Sequence, residues 1–407
     1  MKKIKQYIRI FIISLAVIIT SIPILLFFSL KIKPVNTYLN SQITLILKET
    51  LNTTVTIDKV SYNMPFDLII HKFYMGDYVS DTLFYADKVK IRPLYYNFKK
   101  NSIIIDRIKV SGFRGEYRID SLGFSNLDYF IFNLPETTDT SNVSTSSFKI
   151  KIRKINVSRS SLFYSTNEND TIPYDFDVDT IDIFRFGVKI KNLVYENEGV
   201  SFDLNKFSAY EKNGFKIKGL SANVFVDENN TEISNMILRL NRTRVFVNDF
   251  QFRVDTLTNI EHFYVNVKNQ SFVNTSDLGY FSHYFINYNE KIKFGARING
   301  TLDNLLINEC NVRYKENTVA NFSGRIVGLT EPENMFFDFD IENIQTSENE
   351  ITALTNPLVN KKFLELPESI KIPQNVSYTG KATGFVDDFN ILGDLISSSG
   401  NVAFDLN

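Results

Sequence analysis

The chain of 407 residues carries one cysteine, no tryptophan and three histidines. It also has no excess of either charge, with 45 basic against 46 acidic residues. Each absence excludes something. A lone Cys310 cannot build an internal disulfide framework or a cysteine zinc site, so stability must come from hydrogen-bonded structure and apolar burial. His71, His262 and His283 are scattered, and Glu261-His262 lacks the second histidine of a helical zinc-protease motif. His283 lies in an aromatic run at 280–285 that suits packing better than ligation. The chain contains no Gly-x-Ser-x-Gly elbow, phosphate-binding glycine loop or dinucleotide fingerprint. Near-neutrality predicts no large basic field for nucleic acid or another polyanion. The nearest approach to a metal loop is Asp175, Asp177 and Asp179. Thr180 and Phe186 stand where a calcium loop needs glycine and glutamate, and the alternation with Phe176 and Val178 reads instead as a strand with an acidic face. The expectation is a non-enzymatic protein with no catalytic residue, metal or cofactor.

What is present starts at the N-terminus. Lys2, Lys3, Lys5 and Arg9 precede residues 10–30, which run without a charge until Lys31 and Lys33. As a helix that run is about 31 Å long, the thickness of a bilayer's hydrocarbon core. Ile10, Leu15, Ile19, Leu25 and Leu30 are the expected anchor residues. The run is longer than a signal-peptide core and ends without a small-residue cleavage site, so it reads as a retained single span. The excess of positive charge before it places the tail in the cytosol and the body outside. Residues 1–33 are thus the tail and anchor. Residues 34–51 read as an amphipathic helix opened by Pro34, with Val35, Leu39, Ile43, Ile46 and Leu47 on its apolar stripe.

From residue 53 the period changes from three and four to two. Strand-like runs follow at 82–91, 102–110, 115–120, 148–157, 178–184, 187–195, 200–204, 215–226, 232–240, 244–254 and 262–267. Turn chemistry separates them at Ser111-Gly112, 197–199, Asn213-Gly214 and 227–230. Such short connections predict antiparallel neighbours. The organisation expected is a first β section at 52–134, a polar loop at 135–147 and a second β section at 148–268. A helical insertion at 269–290, a β repeat at 291–345, a second insertion at 346–374 and an incomplete repeat at 375–407 complete it. The repeat aligns 294–305 (FGARINGTLDNL) on 378–389 (YTGKATGFVDDF) without gaps, matching Gly300 with Gly384 and Asp303 with Asp387. Each copy reads as strand, glycine turn, strand, aspartate turn, strand. The second copy stops early and shows no cap, so the chain is expected to be the N-terminal part of a longer protein or a truncated paralogue.

The strands carry apolar residues on one side and a mixed charged face opposite, as with Ile150 and Ile152 against Lys149, Lys151 and Arg153. Few helices are available to cover the apolar side. A sheet of this kind must close, fold over or hold something apolar. Candidate lining residues are Ile150, Ile152, Ile217, Val224 and Val226.

The order of several segments resembles the AsmA-like superfamily, and most of all its TamB (translocation and assembly module) proteins of the Bacteroidota type. These are 34–39 (PVNTYL), 51–60 (LNTTVTIDKV), 81–90 (DTLFYADKVK), 103–112 (IIIDRIKVSG), 288–292 (YNEKI), 300–305 (GTLDNL) and 383–389 (TGFVDDF). The resemblance implies a mainly β protein: a transmembrane helix followed by an elongated, repeat-built antiparallel sheet, curled into an open apolar trough. It implies an inner-membrane protein with its body in the periplasm, passing phospholipids between the inner and outer membranes. Its alternative implication is a scaffold that helps outer-membrane proteins assemble by strand pairing. Partners would be phospholipids, the membrane and outer-membrane assembly components, with no nucleic acid.

Overall fold

The computed structural model describes residues 33–51, 53–63, 67–77, 81–97, 102–128, 149–166, 179–197, 199–254, 261–281, 285, 289–329, 334–350, 375–385 and 387–406. The anchor residues and the polar loop 135–147 lie outside them, as do 175–178 of the acidic run. The described chain is mainly β, with eighteen strands. It divides into two compact units, Met1–Asp170 with Val178–Gly187, and Thr171–Asp177 with Val188–Asn407.

In the first unit, helix α1 (Lys33–Leu51) leads into β1 (Val55–Asn63), β2 (Asp67–Gly76), β3 (Thr82–Asn97), β4 (Ser102–Arg118) and β5 (Lys149–Ser165). Strand β2 was not among the expected runs. It is apolar at adjacent positions, Leu68 to Ile70, so strict alternation does not reveal it. β1 to β4 pair antiparallel in order. β4 and β5 then pair parallel, Ile103 opposite Ile150 and Val110 opposite Val157. This corrects the expectation of antiparallel pairing throughout. The connection from Arg118 to Lys149 is long enough for the chain to return to the start of β4 before pairing. The core of this unit is Val55, Met75 and Leu83, with Leu47 of α1 packed against it. Ile46 points away and is 56% exposed, and the side chains of Val35, Leu39 and Ile43 are outside the described set.

Asp67 is buried at the start of β2, where Arg92 binds both its oxygens at 2.6 and 3.0 Å and Lys90 approaches to 2.6 Å. The hydrogen bond from Arg92 outweighs burial and holds the carboxyl well below the usual range. Asp67→Asn leaves two cations without their acceptor. Because both remain about a third exposed, the expected cost in chemical denaturation is about 2 kcal/mol rather than that of a fully buried pair.

The second unit holds β7 (Gly199–Glu211), β8 (Lys216–Val226), β9 (Asn230–Arg239), β10 (Arg244–Val254) and β11 (Glu261–Asn274). These are followed by α2 (Thr275–Leu278), β12 (Lys291–Thr301), β13 (Asn304–Tyr314), β14 (Thr318–Val327), β15 (Phe336–Ser347), β16 (Asn375–Phe385), β17 (Phe389–Ser397) and β18 (Gly400–Leu406). From β7 to β18 each strand pairs antiparallel with the next. β6 (Thr180–Glu196) contributes residues to both units. Several expected breaks are absent. Gly112 and Gly187 lie inside continuous strands β4 and β6, and residues 269–274 belong to β11 rather than to a helix. Of the second insertion, 351–374 lie outside the described residues.

One device shapes the sheet in both units. In the first, apolar alternation breaks at one level. Ile57 gives way to Val60 across Asp58-Lys59, Phe73 to Ile70 across His71-Lys72, Ala86 to Val89 across Asp87-Lys88, and Phe113 to Val110 across Ser111-Gly112. Pairing sets these doublets side by side, Lys59 opposite His71, His71 opposite Lys88 and Lys88 opposite Ser111. Lys72, Gly112 and Arg159 have positive φ of 48°, 65° and 55°. At Gly112 a Cβ would lie 1.9 Å from Asp87 Oδ2, so any other residue would have to displace that side chain. In the second unit the equivalent steps coincide with register shifts. These fall between Leu204 and Phe207, Val247 and Asp249, Ile307 and Cys310, and Ile341 and Ile344, with Asn235 at φ 52° on β9. In the second unit an inserted residue bends the strand and resets its alternation, whereas in the first unit all strands step at one level without a register shift there. A step of three therefore returns the apolar residues to one face while the sheet creases across successive strands.

The repeat is structural as well as sequential. Gly300 and Gly384 have φ of 129° and 142°, and a Cβ at either would meet the carbonyl oxygen four residues on, at 2.2 and 2.5 Å. Both lie within strands, near the ends of β12 and β16, and the expected glycine turn is instead a tight approach at a strand end.

Candidate functional site: one apolar sheet face

Residues directly opposite in a sheet share a face. In the second unit this links Phe202, Val224, Ile233, Phe250, Val265 and Ile298 across β7 to β12. The row continues through Ile307, Gly324, Phe339, Ala382 and Ile391 to Leu406. Every member is apolar or glycine, over twelve strands, or about 53 Å at ~4.8 Å per strand. A second row runs parallel, including Val226, Phe252, Phe263, Leu305, Ile326 and Phe337.

The intervening residues face the other way and are largely polar, with Phe225, Leu306 and Leu392 as exposed exceptions. Asp203, Asn223, Ser234, Asp249, Asn266, Arg297 and Glu309 form one such row, where Arg297 and Glu309 pair at 2.9 Å. On β12, Lys291, Lys293 and Arg297 are exposed whereas Ile292, Phe294, Ala296 and Ile298 are half-buried. Among the described elements, no helix or second sheet packs over the apolar rows. Fully buried apolar side chains are correspondingly few, and in these rows only Leu305 and Ile307 qualify.

Of the expected lining residues, Val224 stands in the first row and Val226 in the second, where it is 36% exposed. Ile217 faces Ala209 beyond a register shift from the Phe207–Leu220 pair. Ile150 and Ile152 belong to the first unit, opposite Ile103 and Ile105. Val60, Ile70, Val89, Val110 and Val157 make an apolar row there too. Cys310 lies between Ala296 and Phe322, and burial pushes its thiol pKa up, which disfavours thiolate chemistry.

The opposite face of the first unit corrects one expectation. Its pairing rows bring together Lys59, Lys88, Lys90, Lys109, Arg92, Arg107 and Lys154, with Asp67 and the buried Ile69 in the same rows and Asp58, Asp87 and Asp106 at adjoining positions. A near-neutral chain thus does carry a concentrated basic field. Composition sums charge over the whole chain, whereas register decides which charges stand together.

Two acidic residues that sequence reading missed secure strand ends in the second unit. Asp277 of α2 accepts hydrogen bonds from the backbone N–H groups of Arg242 and Thr243 in the β9–β10 turn, at 2.8 and 2.7 Å. Glu350, just beyond β15, accepts from Glu316 N, Asn317 N, Asn317 Nδ2 and Thr318 Oγ1 around the β13–β14 turn. Each lies after the third strand of a set and seals the turn between the first two. The only sequence signal was an acid near the start of each insertion.

Among the described residues, no group of three or more His, Cys, Asp or Glu side chains could hold a metal ion. No described helix is long and apolar enough to cross a membrane. Comparisons with family models, with curated proteins and with solved structures returned no match.

Proposed function

We propose that this chain is a membrane-anchored lipid conduit of the AsmA/TamB-like kind, in which acyl chains lie along the apolar face of the sheet. In this reading residues 10–30 hold the chain in the inner membrane and the body lies in the periplasm. The observation that carries it is the unbroken apolar row from Phe202 to Leu406, over which no described helix or second sheet packs. Burial of acyl chain gains about 0.8 kcal/mol per CH₂, so a continuous strip holds lipid without any single specific site. Uniform affinity along the strip also lets a chain slide from strand to strand, because no position is much deeper than the next. The order of sequence segments shared with the AsmA-like superfamily supports the same reading.

The test is photo-crosslinking in cells. Crosslinkers at Val265 and Ile298 are expected to trap phospholipid, and those at the neighbouring Asn266 and Arg297 are not. Ile298→Asp should abolish phospholipid adducts on the strands beyond it, because a charge in the strip obstructs passage while leaving the backbone pairing intact. Equal phospholipid capture on both faces sinks the conduit. Adducts with unfolded outer-membrane proteins at strand edges, in place of lipid, would favour the scaffold role.

A further inference from the structure

From the charge on the polar face of the first unit, we propose that this face docks on an anionic phospholipid bilayer surface, a role that rests on the membrane-anchored reading above. Its cations lie in three adjacent pairing rows over β1 to β5, an array about 19 Å by 14 Å at ordinary strand and residue spacings. Lys90 and Arg92 share Asp67. Lys59, Lys88, Arg107, Lys109 and Lys154 have no carboxylate partner among the described residues. Among the neighbouring acids, Asp58 pairs with Lys72 at 3.3 Å, Asp106 lies 3.9 Å from Arg153 and the exposed Asp87 stands beside Lys88, which still leaves the face with more cations than carboxylates. In the second unit, Arg297 and Lys381 are each matched by a carboxylate, Glu309 and Asp340.

The fields of these cations add, because their spacing is comparable with the screening length of about 8 Å. They form a broad open array and not a cradle around one ion, which suits a surface of distributed negative charge. Geometry supplies that surface. Lys33 opens α1 three residues after the apolar run ends, and Leu47 near its other end packs on the core of this unit. Nineteen helical residues span about 28 Å, so the basic face is tethered within reach of the bilayer. Each lysine or arginine near an anionic surface contributes about 1 kcal/mol, or roughly fivefold in affinity.

His71 sits in the middle of the array, opposite Lys59 and Lys88, with Ser61 Oγ 3.0 Å from its Nε2. Burial pushes its imidazole pKa down, Lys88 and Lys59 push it further, and Asp58 opposes them without reversing the net shift. An anionic surface against the array reverses the lysine contribution, which makes His71 a reporter. The experiment places the full chain in nanodiscs of phosphatidylcholine, with or without phosphatidylglycerol, and follows histidine titration by NMR and lysine acylation by mass spectrometry. With phosphatidylglycerol, the His71 pKa is expected to rise. Acylation of Lys88, Lys109 and Lys154 should slow about fivefold, the factor for one cation leaving the surface. Both effects should vanish near 1 M salt, where screening falls to about 3 Å, and in Lys88→Glu with Lys109→Glu. Equal behaviour in the two discs overturns the proposal, as does protection by soluble polyphosphate without protection by either disc. Phospholipid adducts at Ile298 in the same preparations score the conduit separately, so either reading can fail alone.

Discussion

Gly393→Ala should destabilise the second unit by about 3 kcal/mol, the upper range for forcing extra atoms into a packed site. Gly393 on β17 stands opposite Gly380 on β16. A Cβ at Gly393 would lie 2.4 Å from the carbonyl oxygen of Thr379 and 2.8 Å from the Gly380 Cα, both backbone atoms that cannot turn aside. The Tyr378 side chain fills the space two glycines leave, and its hydroxyl reaches the carbonyl oxygens of Lys381 and Leu392 at 3.1 Å each. The aromatic ring thereby covers a stretch of strand without side chains, a known means of stabilising glycine in sheets. Added bulk displaces it and opens β16 to β18. Denaturant unfolding and amide exchange on these strands measure the loss. Gly219→Ala on β8 is the control. Nothing lies within 4 Å of its Cβ and its φ is not positive, so it should be neutral or stabilising by up to about 1 kcal/mol. Comparable losses at both positions would show that glycine is needed for general strand flexibility and not for the close approach.

Glu350→Ala should cost about 3 kcal/mol and expose the β13–β14 turn. It removes a buried acceptor shared by the Asn317 amide groups, the Glu316 N–H and the Thr318 hydroxyl. Faster exchange of the Asn317 amide is the direct readout, and Glu316→Ala, at an exposed side chain, should leave it unchanged. Burial pushes the Glu350 carboxyl pKa up. Hydrogen bonds from Thr318, Asn317 and Glu316 outweigh it, and the net shift is downward. A lowered folded pKa means that the unfolded chain binds the proton more readily. The contribution of Glu350 is therefore present above the ordinary glutamate range and is lost as pH falls through the folded value. The stability gap between wild type and Glu350→Gln should narrow in acid. A gap that stays constant to low pH would show that the carboxylate's charge is not what the turn requires.

The pairing explains why some features were readable and others not. Val224 and Val226 could be assigned to a common face because strict alternation within one strand needs no partner. Gly112 was read as a turn because glycine after serine in an alternating segment is the usual turn signal. The structure places it at a positive-φ step inside a seventeen-residue strand, with no register shift there. The three-residue steps that mark the creases were visible in the amino-acid order, for example Ile57 to Val60 and Ile341 to Ile344. Their meaning depended on the neighbouring strand stepping at the same level, which no single segment reveals. The parallel β4–β5 pair had no local signature either, because parallel and antiparallel strands differ in how the chain returns and not in what they are made of.

The amino-acid sequence alone determined that this is a mainly β chain with one apolar and one polar side, an expected anchor and a two-copy motif around Gly300 and Gly384. Those properties follow from residue period, run length and local backbone freedom. Only the tertiary structure decided that the apolar residues join into rows across successive strands, and that seven cations gather on one face of a nearly neutral chain. It also showed that Asp277 and Glu350 seal turns some thirty-odd residues before them. Each of these depends on strand register. Register is set by bulges, turn lengths and cross-strand packing acting together, so it is a property of pairs and not of segments.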